Sequence, residues 1–216
     1  ACGTTTELVM MLPSFFCTSA SALLILLLLN TAEGHMKLVY PPPRLDSASI
    51  KTGPCGSQDF SVGAVTVLEP NTSVTLQILE TIYHRGAPYR IALSHVLNDT
   101  YSDCILLNHI PQHTYGQAAT LYVDITVPNV DCSQTCALQV VSLMTDKIGT
   151  GNTCEYVADG TSGSCFSNYH SCANVQINGA QSRAQLQCEQ PSDWPYKDLT
   201  WNMYTQESTD EYWCEV

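Results

Sequence analysis

From Phe60 to about Ile177 the chain holds no apolar repeat of helical period long enough for an amphipathic helix. It holds short runs rich in β-branched residues instead: Gly63–Leu68, Ser73–Leu79, Tyr89–Leu93, Ala119–Val127, Ala137–Leu143 and Ala173–Ile177. Turn signals separate them, at Glu69-Pro70-Asn71, Arg85-Gly86-Ala87-Pro88, Pro128-Asn129 and Asp159-Gly160. Val123-Asp124-Ile125-Thr126-Val127 alternates as a half-buried strand does. Roughly seven such strands, together with many cysteines, predict an all-β fold. The expected form is an antiparallel β-sandwich of immunoglobulin/fibronectin-like type, stabilised by disulfides. A Cys…Trp…Cys core is missing, so an antibody-type domain is not supported, and no internal repeat of fixed period is visible.

The compartment is read from the N-terminal segment. Ala20 to Leu29 is an apolar run of ten residues, too short for a comfortable membrane span and suited to the core of a signal peptide. Ala32 and Gly34 are the small residues expected at −3 and −1 of a cut before His35. A membrane anchor is the alternative, and the length argues against it. The run lacks a preceding Lys or Arg, so its positive end is the amine alone. Translation is expected to begin at Met10 or Met11, with Ala1 to Val9 upstream of the start. The expected division is therefore 1–34 as upstream residues and signal peptide, 35–180 as the β-domain, and 181–216 as an acidic, aromatic-rich extension or linker.

Charge and cysteine content agree with export. The chain carries 8 Lys+Arg against 20 Asp+Glu, a net charge of −12. Such a chain lacks the basic footprint of a duplex nucleic-acid binder and is repelled by anionic lipid. Eleven cysteines exceed what a reducing cytosol favours. Loss of Glu7 and Glu33 with the leader takes the net charge from −12 to −10, and loss of Cys2 and Cys17 leaves an odd set of cysteines. Asn71-Thr72-Ser73 and Asn98-Asp99-Thr100 are glycosylation sequons on expected loops.

A cut before His35 has a chemical consequence. The new α-amine and the Nδ1 of the same residue can chelate one metal ion, which no internal histidine can do. An α-amine has a pKa near ~7.7–8.0, so a metal displaces its proton easily at neutral pH. A second imidazole would complete a set of three neutral nitrogen donors, which suits copper.

The residues that follow, His35-Met36-Lys37-Leu38-Val39-Tyr40-Pro41-Pro42-Pro43-Arg44, resemble the start of a mature lytic polysaccharide monooxygenase. Glu80-Thr81-Ile82-Tyr83-His84-Arg85-Gly86 is similar to the segment that delivers that family's second brace histidine. Asn168-Tyr169-His170-Ser171-Cys172-Ala173 is similar to its Tyr-x-Ser-Cys-Ala stretch. Pro54-Cys55-Gly56 and Leu138-Gln139…Met144-Thr145-Asp146 look like a less-characterised branch of the group. The resemblance covers about 35–178.

It implies copper held by His35 and His84, with Tyr169 axial to the metal. It also implies a bridge between Cys172 and Cys55, a polysaccharide substrate such as chitin or cellulose, an external electron donor, O2 or H2O2, and a secreted monomer. A secreted histidine-brace protein that handles copper without cleaving glycan is the alternative, and a metal-free adhesive ectodomain is a third. The chain departs from the family in having all three tryptophans in the tail, at 194, 201 and 213, so flat-surface aromatics must be tyrosines. The oxygen-steering glutamine has only Ser167 and Gln139 as candidate counterparts.

Other groupings carry less. His109 and His113 stand at zinc-helix spacing, but Ile110-Pro111 between them opposes a helix, so both are expected in loops. His95 has no partner by spacing, and alternation turns His170 away from the face of Tyr169. Cys132 with Cys136 reads as a local turn bridge, and Cys154 with Cys165 as closing a Gly/Ser-rich loop, with zinc ligation the alternative. Trp194, Tyr196, Trp201, Tyr204, Tyr212 and Trp213 could contact sugar in the tail, although its lack of periodicity favours a flexible acidic linker or the stub of a second domain.

Overall fold

The computed structural model describes residues 35–84, 87–96, 99, 101–111, 118–144, 153–155, 168–199 and 203–205. The expected leader lies outside the described residues. Ten strands follow one another among the described residues. They are β1 (Met36–Tyr40), β2 (Val65–Leu68), β3 (Ser73–Glu80), β4 (Tyr89–Ser94), β5 (Ile105–Ile110), β6 (Ala119–Thr126), β7 (Cys136–Leu143), β8 (Thr153–Glu155), β9 (Asn168–Ile177) and β10 (Met203–Thr205). No α-helix occurs among the described residues, and none of their helical segments is long and apolar enough to cross a membrane. The all-β expectation holds.

One sheet has the order β1-β3-β6, a second β2-β9-β7-β4-β5, and a third pairs β10 with β8. The expectation of purely antiparallel strands needs correction, because β2 runs parallel to β9, Val65 opposite Asn174 through Leu68 opposite Ile177. β2 and β9 are separated in the chain by β3 to β8, so no hairpin joins them and forces them antiparallel.

The two larger sheets share one core. Leu38, Leu76, Ile78, Val123 and Ile125 on the three-stranded sheet join Ile91, Leu138, Val140, Ala173 and Val175 on the five-stranded sheet. Each fully buried Leu or Ile contributes about 1.5–3 kcal/mol relative to exposure. The sheets differ in their outer faces. β6 alternates, with Val123 and Ile125 buried and Tyr122, Asp124 and Thr126 exposed. β7 is buried at all eight positions, which its run Cys-Ala-Leu-Gln-Val-Val-Ser-Leu permits.

The 41–63 segment covers the outer face of the five-stranded sheet. Cys55 is bridged to Cys172 on β9 with Cα atoms 5.4 Å apart, the pairing that the resemblance implies. Arg44, almost fully buried, donates from Nε to Asn174 Oδ1 at 2.9 Å and from Nη1 to the Ser57 carbonyl at 2.7 Å. Its guanidinium lies over the Phe60 ring. Gly63 has φ +85, and a Cβ there would stand 2.9 Å from Arg44 Cα, so the turn that closes this segment needs glycine.

Two further bridges are present among the described residues. Cys132 pairs with Cys136 as the spacing predicts, and Cys104 pairs with Cys188, which the spacing does not reveal. Cys154 lies on β8, and Cys165, its expected partner, lies outside the described residues. The described part of the tail is not a loose linker. Leu186 joins the core, Trp194 Nε1 donates to the Asn108 carbonyl at 2.8 Å, and Asn108 Nδ2 donates to the Leu199 carbonyl at 2.8 Å.

Candidate functional site

His35 immediately precedes β1 and is held through its backbone on two sides. Its N–H donates to the Ala48 carbonyl at 2.7 Å, and its carbonyl accepts from the Thr81 N–H at 2.9 Å. The next residue, Met36, is fully buried opposite Glu80. The first residue of the proposed mature chain is thus fixed between the 47–51 segment and the end of β3.

His84 lies four residues beyond the end of β3, with its carbonyl accepting from the Ala87 N–H at 3.1 Å. Tyr169 is the second residue of β9, opposite Ser142 on β7. The three side chains meet. The His35 and Tyr169 ring centroids are 3.8 Å apart at 19°, and those of His35 and His84 are 4.7 Å apart at 13°. His35 stands in the middle of this stack. Both imidazoles are half-buried, whereas Tyr169 is 5% exposed. The exposed Lys51 brings its Nζ to 5.3 Å from the Tyr169 centroid.

Two imidazoles lie stacked at a partly open surface, where their nitrogens could serve a nitrogen-donor site. No group of three or more His, Cys, Asp or Glu that could hold a metal occurs among the described residues. A third nitrogen at this place would be that of His35 itself, an amide in the uncut chain and an amine after a cut before it. Imidazole lone pairs lie in the ring plane, so near-parallel rings cannot share one ion until one of them turns. The two histidines are nitrogen donors of the kind that suits copper. Tyr169 meets His35 through its ring face, so its closest relation is to the histidine.

Beneath the stack lies a feature that the motifs do not reveal. Glu80 is fully buried and accepts from the Tyr89 hydroxyl at 2.8 Å. Burial, with the Glu80 carboxylate beside it, pushes the Tyr89 hydroxyl well above its ordinary pKa, while a hydrogen bond with Ser142 opposes the shift. Ser142 in turn lies opposite Tyr169 in the cross-strand register, so the Glu80–Tyr89 pair ends one strand position from the stack. The legible signal was an acid continuing the inward set Leu76, Ile78, Glu80 along β3.

The other candidates fall elsewhere. Gln139 lies opposite Cys172 and donates from Nε2 to the Pro54 carbonyl, on the face of the sheet that does not carry Tyr169. That removes it as a counterpart for the oxygen-steering glutamine; Ser167 lies outside the described residues. His170 is fully buried, and burial with Arg90 nearby lowers its pKa to about 4. His109 belongs to β5 and not to a loop, with φ 49 and the same two causes lowering its pKa to about 4. His113 lies outside the described residues. Asn71 is exposed at a turn with φ 58, a position open to glycosylation, whereas Asn98 lies outside the described residues.

No protein-family model matches the chain, and no curated protein matches it in sequence.

Proposed function

We propose that the chain, once cut before His35, is a secreted copper-dependent lytic polysaccharide monooxygenase on an immunoglobulin/fibronectin-like β-sandwich spanning 35–180. The observation that carries this reading is the meeting of His35, His84 and Tyr169 from three segments remote in sequence, with successive ring centroids 3.8 and 4.7 Å apart. Three disulfides among the described residues suit an oxidising compartment.

The α-amine and Nδ1 of His35 and one imidazole nitrogen of His84 would hold the metal. Copper so bound supplies one-electron chemistry on O2 or H2O2, by which a sugar carbon next to a glycosidic bond is oxidised. The chain's own residues hold the donors for that chemistry. The Ala48 carbonyl, which now accepts from the His35 amide, would accept one N–H of the amine and leave its lone pair for the metal. Tyr169 fills the space behind the His35 ring and keeps water from that side. Thr81 fixes the His35 carbonyl and so ties the amine to the end of β3. Glu80 is engaged by Tyr89 in the interior and does not serve as a solvent-facing glycosidase acid.

The test is a comparison of the chain beginning at His35 with its His84→Ala variant. The parent should bind copper tightly and, given reductant and peroxide, release oxidised oligosaccharides from at least one member of a polysaccharide panel. The variant should lose both. Unchanged oxidised product from the variant overturns the reading. Tight copper uptake with no product from any polymer would turn it to copper handling.

A further inference from the structure

A second feature lies on the outer face of the three-stranded sheet, away from the histidine stack. Cross-strand register places Tyr40 of β1, Gln77 of β3 and Tyr122 of β6 in one row. Tyr122 is 65% exposed and Tyr40 38%. Strict alternation from the buried Met36 and Leu38 would turn Tyr40 into the core. The register shift between Leu38 and Tyr40 leaves Val39 as the extra residue and sends Tyr40 outward. A bulge that exposes an aromatic ring costs the core a large side chain, which makes the exposure a property of the surface rather than of the packing.

The row has a definite spacing. Adjacent strands lie about 4.8 Å apart, so the two tyrosines stand about 9.6 Å apart across β3. In an extended β-1,4-linked glycan, alternate sugars present the same face, and two sugar residues span a comparable length. Gln77 lies between the rings, and Asp124, hydrogen-bonded by Thr75 Oγ1, lies on the same face one pair further along. These supply an amide and a carboxylate for sugar hydroxyls. A net charge of −12 disfavours a polyanion over the whole molecule, and no Lys or Arg stands in the row to offset it.

We infer that the Tyr40–Gln77–Tyr122 row is a binding face for an uncharged β-1,4-linked glycan running across the strands. The choice of a glycan among flat ligands rests on the proposed polysaccharide activity. The face itself needs no metal, and it shifts the sugar-contacting role from the tail, where Trp194 is engaged with Asn108, to the sheet.

Affinity electrophoresis of the metal-free chain in gels containing hydroxyethyl cellulose, glycol chitin or polygalacturonate tests this. Retardation by a neutral polymer, with little by polygalacturonate, is expected. Tyr122→Ala should weaken the apparent affinity about tenfold, Tyr122→Phe should largely keep it, and Tyr40→Ala should act in the same direction as Tyr122→Ala. Val67→Ala, exposed on β2 of the other sheet, should change nothing. Failure of both neutral polymers to retard the chain, or equal retardation of Tyr122→Ala and parent, overturns the inference. Retardation lost in His84→Ala but kept in Tyr122→Ala also overturns it, while leaving the proposed activity standing.

Discussion

The two large sheets share a core and treat their outer faces in opposite ways. On the five-stranded sheet the outer face, with the buried His170 beside Arg90, is covered by the 41–63 segment, which carries the buried Arg44 and the Cys55 bridged to Cys172. On the three-stranded sheet Tyr122, Asp124, Thr120 and Thr75 of the outer face are exposed, bare of cover among the described residues. The lesson is a division of labour. The covered sheet gives β9 a rigid frame from which Tyr169 is presented, and the bare sheet offers surface. The histidine stack lies where the two meet, since His35 precedes a strand of the bare sheet and Tyr169 belongs to the covered one.

The contrast is broken most directly at the seal. Replacing Cys55 and Cys172 together by Ala should lower stability by about 4–5 kcal/mol, because the bridge closes a loop of 117 residues. Denaturant titration under non-reducing conditions measures it. A loss under 1 kcal/mol would mean that the segment is held without the bridge.

Acid should act on the covered sheet next. Burial and then Arg90 lower the His109 pKa to about 4, against an ordinary value of 6.5. Between those values the unfolded chain binds a proton that the folded chain refuses, so stability is complete above about 6.5, falls as pH drops, and reaches its floor below about 4. The His109 share of that fall is about 3 kcal/mol. Chemical denaturation at a series of pH values should show a shallower slope in His109→Gln than in the parent, and equal slopes would remove His109 as the cause.

Matched outer-face positions sharpen the comparison at the small end. Val141 on β7 is fully buried, while Tyr122 on β6 is mostly exposed. Val141→Ala should cost about 2 kcal/mol and Tyr122→Ala under about 0.5 kcal/mol, read as shifts in denaturation midpoint. Equal costs would mean that the bare face is packed against something in solution.

The same contrast explains what was legible in the sequence. β3 and β6 face water on one side, so their alternation announces them, and β7 is announced by its unbroken apolar run. β5 was hidden, because Ile105-Leu106-Leu107-Asn108-His109-Ile110 mixes two polar residues into a strand buried on both sides, where Asn108 finds its partner only in the remote Leu199 carbonyl. β1 was hidden by its length and by the prolines that follow it, which read as a loop. The tail lacked periodicity because a bridge to Cys104 and the Trp194–Asn108 hydrogen bond hold it, and neither leaves a mark on spacing.

At the site, His35, His84 and Tyr169 were legible through motif order alone, with no periodic signal to bring them together. Lys51 and the Glu80–Tyr89 pair were not read as parts of it, since their roles arise from the sheet register and the path of the covering segment.

The proposed copper site depends on the His35 nitrogen. Electron paramagnetic resonance during a copper titration should compare the chain beginning at His35, verified by mass spectrometry, with one that keeps Gly34. The chain beginning at His35 should bind one equivalent of copper with coupling to three nitrogen nuclei, and the longer chain should bind far more weakly with a different spectrum. Identical spectra and affinities for the two would contradict a site built on the terminal amine.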